Sequence, residues 1–260
     1  MLDVIDKGDP TDEHPVPLLF VHGAWHAAWC WDEHFLDYFA GQGYRVVAPN
    51  LRGHGGSSGA LRGARIRDYV TDVASAAESL PRAPVLIGHS MGGFVVQHYL
   101  TRHAAAGAIL LASIRPTGVL RVTGHIARRH PVTFAKVNAQ RRLGPLVSTP
   151  DLARELFFSP GMPEADVVAY QRRLQDESYR AFLDMLALDL VDTERVKRVP
   201  LLVLGAEHDA IVTTRETRSI ATTYGTEAEI FPDLAHDVML EPGWRGVAER
   251  MRRWLTAHAL

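Results

Sequence analysis

Cysteine is almost missing. Cys30 stands alone in 260 residues, so no intramolecular disulfide can form and a small disulfide-stapled fold is excluded. It lies in an aromatic stretch and is expected to be a buried thiol. Lysine is nearly as rare: Lys7, Lys136 and Lys197 are the whole set, and arginine makes up the rest of the 28 basic residues. That bias reads as a GC-rich genome rather than as function. Neither charge is in excess, since 30 acids against 28 bases leave a formal net charge of -2. There is then no electrostatic case for binding nucleic acid or an anionic membrane surface. No apolar run is long enough to span a bilayer. Met1 to Asp6 carry acids where a secretory signal needs positive charge and then an apolar run, so a cytoplasmic location is the expectation. Neither a clustered His/Cys ligand set nor a Gly-rich phosphate loop is present, and no metal or organic cofactor is expected.

What is present is an ordinary globular composition, 47% hydrophobic and 22% charged. The length suits one α/β domain carrying an insertion. The most informative stretch is Pro84-Val85-Leu86-Ile87-Gly88-His89-Ser90-Met91-Gly92-Gly93. An apolar run that reads as a buried strand ends in a glycine-flanked serine, and the residues from Phe94 to Leu100 read as a helix. Gly88-His89-Ser90-Met91-Gly92 fits the G-x-S-x-G pattern of a nucleophile elbow. Such a turn is strained and crowded, so side chains cannot be accommodated two residues before and two after the serine. It also aims the helix N-terminus, with its unpaired N–H groups, at whatever the serine attacks.

Along the chain, residues 1–17 read as a β-prone piece and a proline-rich turn, a candidate leading hairpin. Leu18 to Val21 is an apolar run ending at His22-Gly23 and reads as an interior strand. Helical spacing follows from Trp31 to Gly41, then a strand from Tyr44 to Ala48, the irregular loop Arg52 to Gly59, and a helix from Asp68 to Leu80. After the elbow, Ala108 to Leu111 is another strand. The rhythm then breaks. From Arg115 to Arg198 only helical runs occur, such as Val132 to Leu143, Thr149 to Phe158, Glu164 to Leu174 and Tyr179 to Leu190, punctuated by prolines. Strand and helix alternate again from Leu201 to the closing helix Trp244 to Leu255. This alternation predicts an α/β fold with a mostly parallel twisted sheet, helices on its faces and loops at the strands' C-terminal ends. Residues 1–114 and 199–260 are expected to form the core, and residues 115–198 a helical cap insertion. No internal repeat is visible.

A serine hydroxyl needs a base, and the base needs a third group to orient it. The strand Leu201 to Leu204 leads into Gly205-Ala206-Glu207-His208-Asp209, and the strand Ala228 to Phe231 leads into Pro232-Asp233-Leu234-Ala235-His236-Asp237. Each places a candidate at a strand's C-terminal end. The order Ser90, Asp209, His236 is the serine–acid–histidine order of the α/β-hydrolases. Glu207 is a rival acid, two residues earlier. Asp233 and Asp237 flank the histidine too closely along the chain to reach its far nitrogen.

On these motifs the whole chain resembles the α/β-hydrolase superfamily, in its esterase and lipase-like serine hydrolase branch. The resemblance implies Ser90 as nucleophile, His236 as general base and Asp209 as its orienting acid. It also implies an oxyanion hole from the backbone N–H groups of Ala24, after the His22-Gly23 motif, and Met91. His22, His54 and His89 are read as hydrogen-bonding scaffold. The run His22-Gly23-Ala24-Trp25-His26-Ala27-Ala28-Trp29-Cys30-Trp31 is similar to the plant esterase and hydroxynitrile lyase branch. Those lyases use a lysine near the catalytic histidine, and none follows Lys197 here, so cyanohydrin cleavage is not expected. Serine at the elbow likewise argues against dehalogenase or epoxide hydrolase chemistry, which needs a carboxylate nucleophile. The implied reaction is hydrolysis of a small or medium-sized, uncharged, lipophilic ester by a monomer or homodimer. Thioesterase, lactonase, carbon–carbon hydrolase and cofactor-free perhydrolase activities, and a non-catalytic ligand receptor, are the alternatives. Leu146, Leu152, Leu156, Phe157, Phe158, Phe182, Met185 and Leu186 are candidate pocket residues, and Arg128-Arg129-His130 reads as a solvated helix end.

Overall fold

The computed structural model describes residues 1–260. Its strands β1 (Val4–Lys7), β2 (Leu18–Val21), β3 (Val46–Pro49), β4 (Val85–His89), β5 (Gly107–Leu111), β6 (Leu201–Ala206) and β7 (Ala228–Phe231) form one sheet in the order β1-β3-β2-β4-β5-β6-β7. All neighbours run parallel except β1, which lies antiparallel to β3. The leading hairpin is therefore not formed: β1 does not pair with β2. Every residue of β2 is buried, which suits an interior strand, whereas β1 alternates exposed and half-buried positions, as an edge strand does.

The continuous apolar runs in β2, β3, β4 and β5 are buried at every position. Helices cover both faces: α1 (Trp29–Asp32), α2 (Phe35–Ala40), α3 (Ile66–Glu78) and α4 (Met91–Leu100) precede the long helical segment, and α10 (Thr214–Tyr224) and α11 (Trp244–Ala257) follow it. The helix expected from Trp31 to Gly41 is split. His34 leaves the helical region, with φ at -146°, and its ring stacks flat on Trp244 at 4.7 Å between centroids. α3 begins before Asp68 because that carboxylate accepts the Arg65 backbone N–H at 2.9 Å and caps the turn.

Between β5 and β6 the chain contains α5 (Leu120–Arg129), α6 (Pro131–Gln140), α7 (Pro150–Phe157), α8 (Glu164–Gln171) and α9 (Tyr179–Leu183), which runs on into a π turn at Asp184–Leu188. No strand interrupts them, only a lone bridge between Arg142 and Ser178. Buried polar contacts tie this segment to the sheet's loops. Asp184 receives two hydrogen bonds from the Arg65 guanidinium, and Glu177 accepts from His54 and Tyr69. Arg129 and His130, at the end of α5, both bond to Glu155 and lie on the surface.

Candidate active site

β4 delivers Ser90 in a strained conformation, with φ 52° and ψ -119°. The crowding explains the glycines. A Cβ on Gly88 would lie 2.6 Å from the Gly93 Cα, and one on Gly92 would collide with the Val21 carbonyl oxygen. The turn is fixed from behind, since Ser90 N–H donates to Leu111 O at 3.1 Å and Ser90 O accepts from both Phe94 and Ile114.

After β6 the chain turns tightly around Asp209. Its Oδ1 accepts the backbone N–H groups of Ile211 and Val212 at 2.8 and 2.7 Å. That leaves Oδ2 for His236, which follows β7 and donates Nδ1–H to it at 2.8 Å. The other ring nitrogen, Nε2, lies 2.8 Å from Ser90 Oγ. The three side chains thus converge from three strand ends. Glu207 is exposed, as are Asp233 and His208, whereas Asp237 is buried close to His236 without bonding to it. Burial disfavours a charged His236, but the Asp209 carboxylate, bonded to it, outweighs burial and holds the imidazole above its ordinary value.

Ala24 and Met91 line the same pocket as Ser90, and neither backbone N–H finds an acceptor within the protein. Met91 opens α4, where the helix presents its positive end. The Ala24 loop is held by two hydrogen bonds: buried His22 accepts Leu51 N–H at 3.1 Å, and half-buried Trp25, at φ 64°, donates its indole N–H to Leu143 O at 3.2 Å.

Of the 17 residues lining the pocket over Ser90, 15 are hydrophobic. The polar exceptions are Ser90 itself and Thr123, whose hydroxyl donates to Val119 O at 2.9 Å. Leu146, Leu156, Phe182 and Met185 line it as expected. Leu152, Phe157, Phe158 and Leu186 do not. Phe157 packs instead against the rings of Trp25, His26 and His236, and Phe158 against Tyr170. The unforeseen wall is α5, which contributes Val122, Thr123 and Ile126. Its β-branched residues and Gly124 are weak helix formers, so local propensity hid it.

His22, His54 and His89 do act as hydrogen-bonding groups. His89 Nε2–H donates to His236 O at 2.9 Å, and His54 meets Glu177. Burial and the neighbouring His236 push His89 down to about 3, so it is neutral. One pairing escaped the sequence reading: His26 and Asp237 meet, buried, behind His236, 2.9 Å apart. His89, His236 and Asp237 lie close enough to suggest a metal site. However, both ring nitrogens of His236 are already engaged, with Asp209 and Ser90, so His236 offers no free ligand atom.

A family model described as the alpha/beta hydrolase family matches residues 18–250. The chain belongs to that family. Among curated relatives, this hydrolase is 28% identical to a non-heme haloperoxidase of Rhodococcus erythropolis over 85% of both chains. It is 25% identical to a monoacylglycerol lipase of Mycolicibacterium smegmatis, covering 98% of this chain and 93% of the relative. Among solved structures it resembles an esterase from Exiguobacterium antarcticum, with a TM-score of 0.78 at 18% identity, over 98% of this chain and 95% of that one. The last likeness speaks to fold alone. No helix of this hydrolase is long and apolar enough to cross a membrane.

Proposed function

We propose that this hydrolase cleaves carboxylic esters through an acyl-enzyme on Ser90. The observation that carries the reading is the hydrogen-bonded line from Asp209 through His236 to Ser90, 2.8 Å at each step, opening on a pocket with two unpartnered backbone N–H groups. His236 takes the Ser90 proton as the hydroxyl oxygen bonds to the ester carbonyl carbon. Ala24 and Met91 N–H groups hold the developing oxyanion, each worth roughly 2.7–4 kcal/mol in comparable sites. The imidazolium then protonates the leaving alcohol, and water attacks the acyl-enzyme with His236 again as base. Residues 115–198 serve as a cap whose apolar wall selects an uncharged, lipophilic acyl or alcohol group, with 1–114 and 199–260 as the core.

A panel of p-nitrophenyl esters from acetate to palmitate, run on the wild type and on Ser90→Ala, tests this. A serine-dependent optimum at one chain length supports it, and no serine-dependent turnover of any ester refutes it. A second reading takes its support from the haloperoxidase relative: hydrogen peroxide replaces water as acceptor of the acyl group and a peracid leaves. Adding peroxide to the same assay and measuring peracid separates the two.

A further inference from the structure

Behind the base lies a buried contact that ester hydrolysis as just described does not use. His26 is 1% exposed and Asp237 0%. The His26 ring nitrogens face two acceptors: Nδ1 lies 2.8 Å from Ala24 O, and Nε2 lies 2.9 Å from Asp237 Oδ2. A carbonyl and a carboxylate oxygen can only accept, so both bonds form together only when both nitrogens carry hydrogen. Asp237 is otherwise poorly provided for. Its Oδ1 has no hydrogen bond, and its nearest other basic neighbour is His89 Nε2 at 3.7 Å, on a ring that is neutral. A buried carboxylate needs a cation, and the only side chain placed to supply one is His26. Burial works against charge on Asp237, and the His26 ring beside it prevails, holding the carboxyl below the usual carboxylate range.

The two ends of this pair are the two loops that matter for the chemistry. Ala24 precedes Trp25, whose positive φ aims the loop into the pocket, and Asp237 is the neighbour of His236. We propose that His26 is a positioning residue, donating from both ring nitrogens to clamp the loop carrying the Ala24 N–H to the loop carrying His236. The clamp rests on the ester-hydrolase reading for its role in rate, though not for its existence. It also cancels a charge. The ionisable groups facing His236 are Asp209, Asp237 and His89. A doubly protonated His26 neutralises Asp237 and keeps a second negative charge from acting unopposed on the base.

The test uses the full chain labelled with 15N at histidine, at pH 7. The wild type is expected to show two protonated ring nitrogens for His26, assigned by their loss in His26→Gln. In kinetics on a p-nitrophenyl ester, His26→Gln keeps a donor to Asp237 but loses the bond to Ala24 and the charge. Its kcat is expected to fall by about 10- to 100-fold, the scale of a small misplacement of reacting groups, with KM nearly unchanged. The acid limb of kcat/KM moves to higher pH, because a bare Asp237 favours the protonated base. Asp237→Leu, which removes the clamp together with the carboxylate that would otherwise act on His236, lowers kcat similarly but does not move the limb upward, and it replaces His26→Gln should that variant not fold. An unprotonated His26 nitrogen in the wild type overturns the proposal, as does wild-type kcat in either folded variant. Ser90→Ala is the control: were it fully active, ester hydrolysis at Ser90 would fall, and the ring-nitrogen spectrum would still decide whether the clamp exists.

Discussion

His54 and Glu177 meet with 3.1 Å between Nε2 and Oε2, both fully buried, and join the loop after β3 to the helical segment. Tyr69 OH and the Ser178 N–H complete the shell around the carboxylate, at 2.7 and 2.6 Å. Removing one partner strands the other. Glu177→Ala should therefore cost about 3–5 kcal/mol of unfolding free energy, read by denaturant titration, with its m-value near that of the wild type.

The same pair makes stability depend on pH. Burial disfavours a charged His54, but Glu177 outweighs it and raises the imidazole above its ordinary 6.5. A raised folded value means that the contribution is complete below the unfolded pKa and is lost as pH rises through the folded one. Melting temperature in the wild type should fall from pH 6 towards pH 9 more steeply than in His54→Gln.

Activity should show its own acid limb. On the proposed mechanism His236 must be neutral to accept the Ser90 proton, and its value is held above 6.5. The limb of kcat/KM should thus lie above that pH. Asp209→Asn should lower kcat by about 10⁴. Its oxygen would keep the Ile211 and Val212 N–H groups, leaving an NH2 group against His236 Nδ1 and the wrong tautomer for a base.

Ser90→Ala should remove on the order of 10⁶ in kcat while leaving the melting temperature close to wild type, since Ser90 holds the elbow through its backbone N–H and carbonyl. Gly92→Ala should do the reverse and fail to fold, because its Cβ would strike the Val21 and His22 carbonyl oxygens. Soluble yield and circular dichroism separate the two.

Pocket depth can be altered from α5. Val122 and Ile126 lie on the wall above Ser90. Val122→Trp should move the preferred acyl chain to shorter esters, seen as an optimum displaced along the p-nitrophenyl series with the acetate rate retained.

Ser90, Asp209 and His236 stood out in the sequence because each sits at a strand end, where an apolar run of fixed length stops at a polar loop. Alternation of such runs with helical spacing foretold the parallel sheet for the same reason. β1 was misread because pairing of an edge strand is a long-range matter: nothing local in Val4 to Lys7 distinguishes a hairpin partner from β3. The split at His34 depends on Trp244, more than two hundred residues later in the chain. The His26–Asp237 pair was hidden likewise, although His26 stands two residues after Ala24. A histidine there and an aspartate beside the base look like separate polar residues until the fold places them 2.9 Å apart.

The backbone oxygens of Leu143 and Phe157, both in the helical segment, accept N–H groups from Trp25 and Asp237 respectively. On the proposed reading the helical segment supports these two loops as well as walling the pocket. Grafting a different helical segment between β5 and β6, in the laboratory or over generations, would replace two of the struts that steady the Ala24 and His236 loops. On the proposed reading, selectivity and turnover in this hydrolase are inherited together, and a new pocket must bring new struts with it.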